Sequence, residues 1–188
     1  MHHIAYIGLG SNLEDPCSQL QRAFVELESL PGTRLAAISS LYRSAPLDCP
    51  IQSDLQGQPD LPSQPDFVNA VAKIETELTP QALLKMLLQI EHQHGRERTF
   101  RNAPRTLDLD VLLYDDVQLH EYGLTIPHPQ MHRLAFVLQP LLEIAPDARI
   151  PGISTAAEAM RLCVNQSLER MAHDSSLSIV ANTQSGRS

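Results

Sequence analysis

The strictest alternation of apolar and polar positions runs from Thr106 to Val111. Leu107, Leu109 and Val111 fall on one side, Thr106, Asp108 and Asp110 on the other, and the set extends to Leu113. This period of two predicts a β-strand over residues 104–114 with one buried face. Upstream, the apolar run at 4–9 predicts a short buried strand ended by a Gly10-Ser11-Asn12 turn. Asp15 is placed to cap a helix with Pro16 at its first position. Leu20, Ala23, Phe24 and Leu27 then keep i, i+3, i+4, i+7 spacing, and Pro31-Gly32 stops the helix. A second strand is expected over 35–43, a third over 66–75, and a long aperiodic, proline-bearing loop between them at 48–65.

Thr79-Pro80 opens a second helix whose apolar stripe runs from Leu83 to Ile90, and Gly95 ends it. Glu91 lies four residues after Leu87, at the edge of the buried side, where a carboxylate needs a partner. His92 and His94 are expected on the surface of the last turn. Beyond the aspartate-bearing strand, Asp115-Asp116 makes a turn, 117–119 pairs back as a hairpin, and 124–129 is extended because Pro127 and Pro129 keep their predecessors out of the helical region. Helices follow over 132–144, with Pro140 a candidate kink, and over 155–164. The order βαββα, strand, hairpin and helices predicts an α+β fold, a ferredoxin-like antiparallel sheet flanked by helices on its faces. One domain is expected over 1–171, followed by a flexible Ser-rich tail at 172–188.

Composition narrows the function classes. A chain of 188 residues, 43% hydrophobic and 19% charged, fits one ordinary core. Its net charge of −8 argues against a general nucleic-acid surface, and an RNA-binding domain of the same element order would need an aromatic sheet face that is absent. Cys17, Cys49 and Cys163 are odd in number, scattered and outside any C-x-x-C motif, so they read as reduced thiols. The N-terminus has no basic n-region, and no apolar run approaches membrane-spanning length. A soluble, cytoplasmic protein is expected.

Within this acidic chain, residues 96–105 concentrate Arg96, Arg98, Arg101 and Arg105 against one acid, Glu97, and lead directly into Asp108 and Asp110. The two carboxylates would stand about 7 Å apart on one strand face. That spacing suits divalent cations bridging a polyphosphate, with guanidinium groups taking the remaining oxygens. Neither a P-loop nor a kinase Gly-rich loop is present, and Gly8-Leu9-Gly10 is only a fragment of a dinucleotide fingerprint. His128, held between two prolines, is a candidate phosphate donor.

These segments occur in an order that resembles one family. Gly10-Ser11-Asn12, Tyr42-Arg43-Ser44 with Pro46-Leu47, Asp66-Phe67 with Asn69-Ala70, Ile90-Glu91 with Gly95-Arg96 and Arg98, 104–110, and 124–129 together resemble the 6-hydroxymethyl-7,8-dihydropterin pyrophosphokinases of folate biosynthesis over about residues 3–150. The resemblance implies transfer of pyrophosphate from ATP to the pterin hydroxymethyl group, with AMP released. It implies two Mg²⁺ ions on Asp108 and Asp110, and catalytic roles for Arg96, Arg98 and Arg105 beside them. Nucleotide contacts would come from Glu91, Arg96, Leu109, Val111, Thr125, His128, Pro129 and Arg133. Ser44, Ala45, Pro46, Leu47, Phe67, Asn69 and Phe136 would form the pterin pocket. A monomer with small-molecule substrates is implied. Departures from the family pattern are a missing loop Trp, a shorter Arg loop, Leu134 where an Arg is common, and a longer 48–65 segment. They leave one alternative, a catalytically inactive pterin- or nucleotide-binding module of the same fold.

Overall fold

Strands β1 (His3–Ser11) and β2 (Thr33–Ile38) flank helix α1 (Pro16–Glu28) in the chain. The computed structural model describes residues 2–46, 65–95 and 106–172. Leu47, residues 48–64 of the expected loop, the Arg-rich run with Arg96, Arg98 and Arg105, and the tail from 173 onward lie outside the described residues. Asp15 caps α1 as expected, accepting from the Ser18 backbone at 3.4 Å and its hydroxyl at 2.6 Å. Those bonds from Ser18 hold the Asp15 carboxyl below its ordinary value.

The remaining elements are β3 (Tyr42–Ser44), β4 (Phe67–Thr76), α2 (Pro80–Gln93), β5 (Asp108–Tyr114), β6 (Leu119–Glu121), β7 (Leu124–Ile126), α3 (Ala135–Ile144), β8 (Arg149–Ile150), β9 (Ser154–Thr155), α4 (Ala156–Leu162) and β10 (Leu168–Arg170). The main sheet is antiparallel throughout, ordered β10-β3-β4-β1-β5, with β2 also paired to β4. The architecture is therefore α+β. Ala5, Ile7 and Leu9 of β1 and Ala70, Ala72 and Ile74 of β4 meet α1 and α2 on one face. Val71, Leu112 and Leu113 meet α3 and α4 on the other. Among the described residues, no helix is long and apolar enough to cross a membrane.

Several expectations needed correction. The strand predicted over 35–43 is two strands. At the break the Ser39 hydroxyl accepts the Val71 N–H at 2.9 Å while the Ser39 N–H donates to the Val71 carbonyl, so a side chain takes over a strand acceptor. Leu113 does not share the face of Leu109 and Val111. Tyr6 pairs with Leu113 but Ile7 with Val111, leaving Leu112 as an extra residue, and this bulge turns Leu113 to the second face and Tyr114 to the first. The hairpin predicted at 117–119 forms instead between β6 and β7 across Tyr122-Gly123. The helix predicted from 132 starts at Ala135, because Leu134 is extended (φ −115, ψ 103) and leaves Met131–Arg133 as a separate 3₁₀ turn. The last helix stops at Leu162, with Thr155 and Glu158 forming a capping box at its start. His94 is buried, not on the surface. Its ring nitrogens meet Gln19 Oε1 and Glu26 Oε2, tying the end of α2 to α1. Strand β10 has no counterpart in the sequence pattern.

Candidate active site

The register of four strands assembles the site. Tyr42 of β3, Asn69 of β4, Gly10 of β1 and Asp108 of β5 are successive Cα partners in one row. In the next row of this face, Val71, Gly8 and Asp110 are partners, and Ser44 opposes Phe67 at the β3 end. Asn69 and Asp108 thus stand two strands, or about 10 Å, apart. Between them the strand carries glycine. A Cβ at Gly10 would meet Asn69 Oδ1 at 3.4 Å, and one at Gly8 would meet Leu112 Cδ2 at 3.2 Å. Gly10 keeps the strip between the Asn69 amide and Asp108 free of a β1 side chain, whereas Gly8 makes room for the Leu112 side chain that packs over it. The alternate spacing of the two glycines on β1 was the signal available in the sequence, and it carried little weight there.

At the β3 side of the floor, Asn69 Nδ2 donates to the Ser44 hydroxyl at 2.9 Å and to the Tyr42 carbonyl at 3.4 Å. Both amide hydrogens are used, so the Asn69 side chain is locked in orientation and its oxygen faces Gly10. Ser44 and Asn69 are buried, and Phe67 is half-buried beside them. Ala45 and Pro46 continue from Ser44 with Ala45 exposed. Phe136 is half-buried in the first turn of α3 and packs against the second core.

At the β5 side, Asp108 is half-buried and Asp110 exposed. The chain returns to β5 after a cis Ile126–Pro127 bond, where the His128 N–H donates to the Leu112 carbonyl at 2.9 Å. His128 Nδ1 accepts the Gln130 N–H at 3.3 Å, which assigns the ring proton of the neutral imidazole to Nε2. Burial pushes the His128 pKa below its ordinary value, against the charge of Asp108, which acts the other way. His128 is therefore a neutral donor beside a carboxylate. Two residues before Asp108, the Thr106 hydroxyl is buried with no hydrogen-bond partner among the described residues.

Glu91 is 2% exposed, and its Oε1 accepts the Leu109 N–H at 2.8 Å, which meets the need for a partner read from the sequence. Leu109 and Val111 have their side chains in the first core, facing away from the aspartates. Only their backbone, on the terminal strand of the sheet, is available to a ligand. Thr125 is half-buried on β7, with its hydroxyl 3.2 Å from His120 Nδ1. Pro129 and Arg133 are exposed, and the Arg133 Nε–H donates to His132 Nε2 at 3.1 Å. The structure thus brings Ser44, Phe67, Asn69, Asp108, Asp110 and His128 to one face, while Glu91, Leu109, Val111 and Thr125 belong to the opposite side of β5 and its edge.

The comparisons with known proteins agree in kind. A family model described as 7,8-dihydro-6-hydroxymethylpterin-pyrophosphokinase (HPPK) matches residues 6–146. The chain is 46% identical over 157 residues to the 2-amino-4-hydroxy-6-hydroxymethyldihydropteridine pyrophosphokinase of Haemophilus influenzae, covering 84% of this chain and 91% of that one. It is 44% identical over 166 residues to the Pseudomonas aeruginosa protein of the same description, covering 88% and 95%. A crystal structure of wild-type Plasmodium falciparum HPPK-DHPS with pteroate superimposes with a TM-score of 0.64 at 14% identity, a likeness of fold. It covers 86% of this chain, which spans only 42% of that longer one.

Proposed function

The chain belongs to the 7,8-dihydro-6-hydroxymethylpterin-pyrophosphokinase family, and from that premise we propose that it transfers the terminal pyrophosphate of ATP to the hydroxymethyl group of 6-hydroxymethyl-7,8-dihydropterin in folate biosynthesis. The hydroxymethyl oxygen attacks the β-phosphorus, the bond to the α-phosphate oxygen breaks, AMP leaves and the hydroxyl proton is released. One observation carries this reading. A locked amide, the open strip at Gly10 beside it and two carboxylates lie in adjacent rows of one sheet face.

At the β3 end, Asn69 offers its oxygen to the edge of a flat heterocycle, and Phe67 and Phe136 offer rings to stack on it. Ser44, Ala45, Pro46 and Leu47 complete that pocket. At the β5 end, Asp108 and Asp110 form an all-oxygen donor pair on an open face. This suits Mg²⁺, which takes one or two protein carboxylates and leaves its other positions to phosphate and water. When bound there, two Mg²⁺ ions supply charge neutralisation to the triphosphate and the transition state. His128 donates from Nε2 to a phosphate oxygen, its Nδ1 being taken by the Gln130 N–H. Arg96, Arg98 and Arg105 contact the triphosphate from the run that enters β5, and Pro129 and Arg133 extend the nucleotide contacts. Glu91, Thr125 and the backbone of Leu109 and Val111 hold the adenosine at the sheet edge. The alternation of β1-α1-β2/β3-β4-α2-β5, with β1 and β4 central, supports a ferredoxin-like description of this sheet. The reaction is assigned to a cytoplasmic monomer with small-molecule substrates.

The test is AMP formation from ATP and the pterin, run with Mg²⁺ and again with EDTA. Pterin-dependent AMP that disappears in EDTA is the expected result. Pterin binding without AMP would replace this reading with the inactive binding module.

A further inference from the structure

The family match ends at residue 146, yet residues 166–170 hold both walls of the pterin pocket. Strand β10 pairs with β3, placing Leu168 opposite Ser44 and Arg170 opposite Tyr42. Without it β3 would be a three-residue edge strand. Helix α3, which carries Phe136, starts at Ala135, and its N-cap residue Leu134 has no side chain that can cap it. Gln166 supplies one from outside. Its Oε1 accepts the Ala135 N–H at 2.9 Å and its Nε2 donates to the Arg133 carbonyl at 2.8 Å.

The other end of α3 is held by Arg170. Its Nε and one terminal nitrogen donate to the Ser40 hydroxyl at 2.9 and 2.8 Å, and that nitrogen also reaches Glu143 Oε1 at 3.2 Å. Glu143 further accepts from the Ser40 N–H at 3.1 Å, the Ser40 hydroxyl at 2.7 Å and the Tyr42 phenol at 2.7 Å. The Ser40 oxygen therefore uses its one donor and both acceptor sites. Burial alone would raise the Glu143 carboxyl, but the bonds from Tyr42 and Ser40 and the charge of Arg170 hold it below its ordinary value. Phe136 and Glu143 are seven residues apart, on the same stripe of α3. A helix released at Glu143 would turn Phe136 with it.

We propose that residues 166–170 are a positioning clamp that sets the gap between Phe136 on α3 and the Ser44–Phe67–Asn69 wall of the sheet, a role that rests on the pterin pocket assigned above. Among the described residues, the Arg170 side chain bonds Ser40 and Glu143 and no residue assigned to the nucleotide, whereas Gln166 also holds the carbonyl of Arg133, one of the nucleotide contacts. Loss of Arg170 therefore acts on the pterin and spares ATP. In the full chain, Arg170→Ala should raise KM for the pterin about tenfold, the scale of one hydrogen bond to a charged group. KM for ATP should stay within about twofold in that variant, and Arg170→Lys should recover part of the loss. Tyr42→Phe removes a single hydroxyl and gives a milder version, about threefold, should the alanine variant fail to fold.

Calorimetric titration with the pterin reads the same effect without turnover. An inactive wild type would thus count against the proposed function while the clamp was still measured. Folded variants with an unchanged pterin affinity, or with both substrates weakened alike, would overturn the clamp.

Discussion

On the face of β1 and β5 that meets α1 and α2, alternate positions are Ala5, Ile7, Leu9, Leu109 and Val111, all buried. On the opposite face of the same strands, the positions between them are Tyr6, Gly8, Gly10, Asp108 and Asp110. Backbone, register and neighbours are shared, so the difference lies only in the side chains. The first face is defined by volume that fills the layer under two helices. The second leaves volume out at Gly10, between Asn69 and Asp108. Already in the row of Gly8 and Asp110 it turns apolar at Val71, with Leu112 packed over Gly8 and α3 closing over both. One sheet thus serves as core on one side and as half core, half site on the other.

Substitutions on the two faces should separate activity from stability. The largest effect is expected for Asp110→Ala, which should lower kcat/KM at least about a thousandfold, the scale of losing a metal-holding carboxylate. The melting temperature should hardly move, because Asp110 is exposed. Residual turnover near wild type would break the contrast at its site face. On the core face, Ile7→Ala should cost about 3 kcal/mol through lost burial and a cavity, or roughly 10 °C in Tm, with both KM values retained. Chemical denaturation and a steady-state assay on the same preparation read this directly. A loss of substrate affinity without a loss of stability would show that the faces are not independent.

The smallest effect concerns the rim of the second face. The Glu143 carboxyl is depressed below its ordinary 4.5, so it binds its proton less readily in the folded chain. Its contribution to stability is present above pH 4.5 and is lost as pH falls through the lower folded value. The carboxylate is partly exposed, which keeps the contribution below about 1 kcal/mol. Denaturation midpoints at about pH 7 and about pH 3.5 should differ less in Glu143→Gln than in the parent chain. An equal acid sensitivity in both would remove Glu143 from the account.

Much of this was legible in the chain. The Asp15-Pro16 start and the Leu20–Leu27 spacing produced α1 because capping and periodicity are local properties. Asp108 and Asp110 were legible for the same reason: two residues apart on a strand means one face. Leu113 was not, because a bulge depends on which partner strand supplies the register. His94 was not, because its burial comes from Gln19 and Glu26 on another helix. Gly8 and Gly10 acquire meaning only when β4 and β5 are laid on either side of them. Strand β10 has no apolar alternation of its own, and it exists because β3 offers it an edge.

The amino-acid order by itself determined α1, α2, β1 and the Asp108–Val111 face of β5, together with the residue types available for phosphate and pterin chemistry, since these follow from neighbours within a few positions along the chain. The tertiary structure alone decided which elements share a face, where the floor is open and what holds the pocket walls. Those outcomes depend on strand register and on contacts between residues more than a hundred positions apart, such as Arg170 with Ser40, which no local pattern encodes.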